Sequence, residues 1–572
     1  YSTSTKVLTG DITAGASPNQ NYTRFTVTPK GGKNWKINES GHLEPPSVTI
    51  TGGSGAWQAL KTAVGAAQDG DVITIDGEIK ATNTTGNNGE ITISKNLTIR
   101  GKTGAASKIL DANASNLNPS KVDRIFDVQG GTLTLENLTL KNGKKEGAIG
   151  GCILVFSGKV ELTDCIIENC TAGDGGAIGV KGEAKLTNTV IKKCAATSTG
   201  GAIFTKSGKV TMTNCTLTGN TAKNGGAIAA QKDTTPSAAP PNVTISGGTI
   251  GGTGALDANK ASKSGTDGGS GGGIWINNGT LILKDNAEVI GNTAQKNGGG
   301  IALDKGGTLT LSSGKISGNT AQKYGGGICI GTDANTNDNT GTVTMSGGEV
   351  SNNTASEKSG GGVVVLHGTF TMSNGKVSGN TAKETGGGIY GMNFNSAKGE
   401  ITVSGGEISG NTANMAGTLA GGGIRSSYKL TVSGGTIKTN KTTKPSGWGG
   451  GISVSEEFTF LGGTVVGNTC PGGGTVQGTG IHVWNCSVKM SGSAKVDINN
   501  DIYLSTNIKI TVIAPLTGTD PVARITPETY NTSTKVLDGT PALLNSEHGK
   551  FTVTPKSGHT WSVDSNGKLK TP

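Results

Sequence analysis

The sequence predicts an all-β chain: a single-stranded, right-handed parallel β-helix of about 12–14 rungs with three short strands per rung. A short capping helix is expected near residues 55–68, and a small β module at each end. Three observations lead there. A Gly-Gly-(Ala/Gly)-Ile signal recurs along the chain. The segments between signals alternate apolar and polar residues, with no apolar period of 3.6. The composition, 98 glycines with 32% hydrophobic and 4% aromatic residues, suits a narrow, elongated core and not a wide globular one.

The signal residues are Ile153, Ile178, Ile203, Ile228, Ile274, Ile301, Ile328, Val363, Ile389, Ile424, Ile452 and Ile481. Their steps are 25, 25, 25, 46, 27, 27, 35, 26, 35, 28 and 29 residues, which sets a period near 25–27. Longer steps carry inserts such as Asp233–Asn242 and Thr332–Thr340, rich in the residues that favour turns. The step of 46 leaves room for an extra, degenerate rung. Within a period, Val210 and Met212 share one face, and Cys215-Thr-Leu217 alternates again before Asn220-Thr-Ala222. Such short strands bury a face only by stacking in register on copies of themselves, at about 4.8 Å per rung. Leu162, Leu186 and Met212 are then successive equivalents.

A second ladder reads apolar-x-x-Asn and ends at Asn169, Asn220, Asn292, Asn319, Asn353, Asn380, Asn411, Asn440 and Asn468. An Asn repeated at a corner can satisfy turn backbone and its stacked neighbours together, so these are read as structural and not as glycan acceptors.

These motifs resemble the repeats of the polymorphic outer membrane proteins, a family marked by Gly-Gly-Ala-Ile and Phe-x-x-Asn. Gly-Gly-Ala-Ile stands literally at Gly175–Ile178, Gly200–Ile203 and Gly225–Ile228, while Leu, Ile or Val replaces the Phe. The resemblance covers roughly residues 150–480 and implies a surface-exposed, often adhesive bacterial protein. The region before residue 150 looks like the entry to pectin-lyase-like β-helices. There Trp57, Leu60 and Val64 fall at helical spacing behind Ser54, a candidate N-cap.

The domains expected are residues 1–46, an incomplete copy of the C-terminal module; 47–513, the β-helix; and 514–572, the complete module. Tyr1–Leu8 repeats as Tyr530–Leu537, Phe25–Lys30 as Phe551–Lys556, Trp35 as Trp561 and Leu43 as Leu569. The C-terminal copy is preceded by a strand, Val522–Thr529, that the N-terminal copy lacks. The chain therefore reads either as an excised, processed unit of a tandem array or as a subunit that associates head to tail by β-augmentation. Tyr1, Val7, Phe25, Trp35, Ile525 and Trp561 are the expected self-association residues.

The chemistry expected is sparse. A net charge of +10 spread over scattered lysines reads as solvation of a β surface, with no nucleic-acid partner. No run of about 18 apolar residues marks a membrane helix. The eight cysteines lack metal-ligand spacing; a Cys170–Cys194 or Cys470–Cys486 disulfide is open to an exported chain. The five histidines (His42, His367, His482, His548, His559) match no catalytic motif, and no cofactor, metal or catalytic residue is expected. Asp69 and Asp71 read as turn residues, Glu456-Glu457 as solvated, and Asp123, Arg124 and Asp127 as an exposed charged loop. Trp275, Tyr324, Tyr390 and Trp448, with Phe394 and Tyr428 nearby, form a weak ligand-binding stripe beside the Gly-rich corners.

The function expected is that of a non-enzymatic extracellular or bacterial cell-surface β-helix, structural or adhesive, meeting host or matrix glycans and proteins. The alternative is a polysaccharide lyase or hydrolase, or a carbohydrate-binding protein, of pectin-lyase-like fold.

Overall fold

The computed structural model describes residues 36–37, 43–44 and 47–571, apart from 255, 266, 332–339, 394–398, 416–418, 446 and 472–477. The described chain is a parallel β-solenoid. One rung illustrates the rest. Its first strand, Ile203–Lys206, follows the Gly-Gly corner. Lys209–Thr213 and Thr216–Thr218 come next, and Thr221–Ala222, a two-residue fourth strand, completes the turn. Each pairs in parallel with its counterpart one rung on. The first strands form one wall of seventeen.

Twelve of those strands carry the glycine signal. The others, beginning at Ile91 and Phe126 and, at the far end, at Ile502, Ala523 and Phe551, stack by the same backbone pairing without it. The step of 46 hides no rung in this wall: Ile228 pairs directly with Ile274, and the added residues include a small antiparallel hairpin, Lys263–Ser264 with Asp267–Gly268. The residues of the expected C-terminal module are stacked on the wall as its end, with Phe551–Val553 on Ala523–Pro527.

Alternation decides which side chains turn inward. Lys209–Thr213 buries only Val210 and Met212. The Met212 position continues as a column through Ile245, Leu283, Leu311, Met345 and Met372. Most other apolar residues share this single core, so the rod is held by apolar columns inside and backbone ladders along its walls.

The helix forms at Ala56–Ala66 and buries Trp57, Leu60 and Val64 over the first rungs. Its N-cap is Gly55, at φ 76°, and not Ser54. The side-chain acceptor comes from another part of the chain: the Gln58 N–H donates to Asn87 Oδ1 at 3.0 Å, and Trp57 Nε1 donates to the Gly89 carbonyl. A second helix, Pro541–Glu547, was not expected. Thr540 caps it, with Pro541 in the first turn.

Stacked outward positions alternate in charge. Glu288, Lys315, Glu349, Lys376 and Glu407 occupy one column, each paired with the next, along a shallow groove. At this spacing like charges would repel. Glu349→Lys would set three lysines in a row and is expected to destabilise the fold by about 0.5–1 kcal/mol, an effect that added salt weakens. Urea midpoints at low and high salt read this. Equal losses at both would mean that charge alternation is not the cause.

Candidate functional site

The strands of the seventeen-stranded wall are three to five residues long, and from Ile203–Lys206 to Ile502–Leu504 the second residue of each points outward. Backbone register puts Phe204, Ala229, Trp275, Ala302, Cys329, Val364, Tyr390, Arg425, Ser453, His482, Tyr503 and Thr526 in one outer column. An outer column of a solenoid would ordinarily be solvated, yet all of these except the half-buried Tyr390 are buried. The residue just before each Gly-Gly forms a second column beside it: Asn224 bridges to Ser270, and Tyr324 and Trp448 hold the same repeat position.

Trp275, Tyr324, Tyr390 and Trp448 therefore lie on one face, in three separate patches. Trp275 packs with Phe204, Ala229 and Ala302 and is only 8% exposed. Its Nε1 donates to Asp304 Oδ2 at 2.7 Å, so its ring is packing and not a platform. Tyr324 and Tyr390 pack beside Cys329, Val364 and Leu366. Trp448 meets His482 with ring centroids 4.9 Å apart and Tyr503 at 5.4 Å. Tyr428 turns inward: it is buried, its hydroxyl donates to the Leu366 carbonyl, and Gly399 leaves the room its ring needs. Phe394 lies outside the described residues, as do Tyr1, Val7, Phe25 and Trp35.

The last patch contains residues the sequence reading missed. Trp484, 41% exposed, stands 6.2 Å from the His482 ring. Arg425 is buried and donates to the carbonyls of Ser426 and Ser453 and to Ser455 Oγ. A usable signal existed: Trp275, Tyr390, Arg425 and His482 each directly follow an aligned Ile.

Burial, with the Arg425 charge nearby, pulls the His482 imidazole down to about 3 from its ordinary 6.5. Between those values the unfolded chain binds a proton that the folded chain refuses. Stability therefore falls as pH drops below 6.5, by up to about 1.4 kcal/mol per pH unit from this group. His482→Gln is expected to flatten that acid-side slope in urea titrations run across pH. An unchanged slope would mean His482 does not carry it.

The Asn ladder lies inside the rod. Asn220, Asn259, Asn292, Asn319, Asn353, Asn380, Asn411, Asn440, Asn468 and Asn500 are buried in sequence order. In a typical link, Asn353 Oδ1 accepts both the backbone N–H and the Nδ2 of Asn319, while Asn353 Nδ2 donates to the Ile316 carbonyl one rung back. Asn169 stands outside this column: it is exposed, with φ 57°. The inward residue of its strand is Ile167, paired with Ile191, and not Ile166. The ladder position is accordingly Cys170, whose N–H meets Cys194 Sγ at 3.4 Å, and Cys194 in turn donates its N–H to Asn220 Oδ1. All eight cysteines are free thiols, and burial pushes Cys170 and Cys194 well above the usual thiol range.

The charged loop expected to be exposed is instead enclosed. Phe126–Val128 is stacked between Ile91–Ile93 and Ile153–Val155, so Arg124 is 5% exposed. Arg124 reaches Glu90 at 3.7 Å and Asp127 at 3.9 Å, and Lys145 reaches Asp123 at 2.6 Å. Burial and the neighbouring Asp123 raise Glu90 above the usual carboxylate range. Asp69 accepts from the Asn96 N–H and Asp71 from the Gln68 N–H, which is turn chemistry. Among the described residues no cluster of His, Cys, Asp and Glu could hold a metal ion.

Residues 214–231 match the model of the Chlamydia polymorphic membrane protein (Chlamydia_PMP) repeat. They run from Asn214 through the ladder residue Asn220 and the Gly225–Ile228 corner to Gln231. Neither a curated protein nor a solved structure matches the chain. Fold and repeat together thus fit a β-solenoid similar to the polymorphic outer membrane proteins. The rungs beyond residue 231 repeat the corner and the ladder Asn of the matched segment.

Proposed function

We propose that this chain is a non-enzymatic cell-surface β-helix with a structural or adhesive role, placed outside the cell. The repeat match carries the reading, since the matched model describes a repeat of a polymorphic membrane protein. The rod supports it physically: its interior is filled by apolar columns and the Asn ladder, leaving contact with other molecules to the outer faces and inserts. No helix among the described residues is long and apolar enough to cross a membrane. The contact surface proposed for host or matrix glycans and proteins is the exposed indole of Trp484 with the half-buried Trp448, backed by the buried rings of His482 and Tyr503.

Binding of the full chain to arrayed glycans and matrix proteins tests this. Trp484→Ala is expected to lower binding while leaving the unfolding midpoint nearly unchanged. Binding that is absent, or indifferent to Trp484 and Trp448, would sink the adhesive reading.

One observation favours the competing lyase or hydrolase reading: Glu90, raised by burial, sits in a group with Asp123, Arg124 and Asp127. Turnover of acidic or neutral glycans that Glu90→Gln abolishes would replace the non-enzymatic assignment.

A further inference from the structure

The residue two places before the Gly-Gly corner forms a further column along the rod. Register at the corner sets it: Asn224 bridges to Ser270, which places Lys223 beside Gly269 of the next rung. The Gly269 N–H donates to the Lys223 carbonyl, the Lys296 N–H to that of Gly269, and the Lys323 N–H to that of Lys296. Lys358 holds the same place before its own Gly-Gly, and the Glu384 N–H donates to the Lys358 carbonyl. The Gly269 rung would lack a lysine, but its hairpin, Lys263–Ser264 with Asp267–Gly268, supplies one. A Cβ on Gly269 would lie 2.8 Å from Lys263 Cγ and 3.2 Å from Lys296 Cβ, so the Lys263 stem lies over the glycine beside Lys296. Successive rungs thus carry Lys223, Lys263, Lys296, Lys323 and Lys358 on one edge.

Rungs stack about 4.8 Å apart, a spacing at which like charges repel. The column from Glu288 to Glu407 avoids this by alternating in sign. The lysine column does not. Among the described residues, Lys223, Lys263, Lys296 and Lys323 pair with no carboxylate, whereas Lys358 pairs with Glu384 at 2.9 Å. Of the other acids nearby, Glu357 accepts from Gln322 Nε2 at 2.7 Å, and Asp267 is exposed on the hairpin. All five lysines are half-buried, as suits an aliphatic stem lying on protein with its ammonium in water. A polyanion laid along this edge would remove the repulsion.

We infer that this lysine edge binds a linear anionic polysaccharide, bearing sulfate or uronate groups, laid along the rod axis. An extended chain with charges along its length meets one ammonium per rung. Single-stranded nucleic acid is the weaker fit, because it binds by stacking bases on exposed aromatic rings. The aromatics beside this edge offer none: Trp275 is 8% exposed and donates to Asp304, and Tyr324 packs against Cys329, Val364 and Leu366. The edge lies on earlier rungs than Trp448 and Trp484, so it goes beyond the aromatic surface proposed above. Its binding is electrostatic and salt-sensitive, which tells the two apart.

The experiment measures binding of the full chain to heparin and to polygalacturonate at low and moderate salt, with dextran as the neutral control. Binding to either polyanion, weakened by salt and absent with dextran, is the expected result, and the tighter of the two assigns sulfate or uronate. Changing Lys223, Lys263, Lys296 and Lys323 together to Gln should lower the affinity by about tenfold or more and flatten its salt dependence. The unfolding midpoint of that variant should hold or rise, since mutual repulsion is removed. A matched variant with Lys185, Lys193, Lys305 and Lys441 changed to Gln loses the same net charge and should bind as the unaltered chain does. Glu384→Gln frees Lys358 and should tighten binding, while Trp484→Ala should leave it unchanged. No binding to either polyanion, equal losses in the two lysine variants, or tighter binding to single-stranded or duplex DNA overturns the inference.

Discussion

Asn380→Ala is expected to destabilise the solenoid by about 3–5 kcal/mol, because it strands several buried groups at once. Asn380 Oδ1 accepts the Asn353 backbone N–H at 2.9 Å and the Asn353 Nδ2 at 3.0 Å; its own Nδ2 donates to the Val350 carbonyl and to Asn411 Oδ1. The residue is fully buried, so no water replaces these partners. Asn380→Asp should be at least as damaging: it keeps the acceptor for Asn353 but turns carboxylate oxygens toward the Val350 and Asn411 oxygens. Asn169→Ala, outside the ladder, should cost only about 1 kcal/mol, from its left-handed φ. Urea unfolding ranks the three, and hydrogen exchange should show opening first in the rungs beside residue 380, since each rung rests on its neighbours alone. Equal losses at residues 169 and 380 would mean that the ladder does not hold the rungs together.

Gly361→Ala is expected to cost about 3 kcal/mol, the upper end of the usual range for overpacking. A methyl there would lie 2.5 Å from the Gly387 oxygen and 2.6 Å from the Thr381 carbonyl, both backbone atoms of the next rung. Those atoms cannot retreat without lengthening the Gly361 to Gly386 and Val363 to Gly388 hydrogen bonds that stack the corner. The equivalent Gly326 meets Gly361 in the same way, so the corner glycine is there for close backbone approach. Gly65→Ala is the matched control. Gly65 lies in the Ala56–Ala66 helix with open space around it, and alanine there should stabilise by about 0.5–1 kcal/mol. Opposite signs from one substitution, measured as thermal midpoints, test the packing argument; a neutral Gly361→Ala would refute it.

The two sites differ in how far they could be read from sequence. The Gly-Gly-x-Ile corner is a local pattern, and its glycines announced their need directly. The ladder was legible in kind but slipped in register at one end, because Ile166 and Ile167 are both apolar and only pairing shows that Ile167 faces inward. Asn259 escaped notice because an insert separates it from its apolar partner Ile250, and Asn500 because its rung lacks the glycine signal. The outer face was read as a row of aromatics for a ligand. Its burial depends on neighbouring turns, so Trp275 became packing while Trp484 stayed open.

The sequence by itself determined the period, the inward columns, the corner glycines and the likeness of the two ends. All are set by residues close along the chain, whose alternation sends each side chain in or out wherever the rung happens to lie. Only the tertiary structure decided that seventeen strands stack in the long wall, that Cys170 and Cys194 take over the ladder where its asparagines stop, that Asn87 caps a helix nearly thirty residues away, and that the C-terminal copy closes the rod. Each rests on contacts between rungs. Inserts change the sequence distance between rungs without changing their 4.8 Å spacing, so such contacts leave no fixed interval in the sequence.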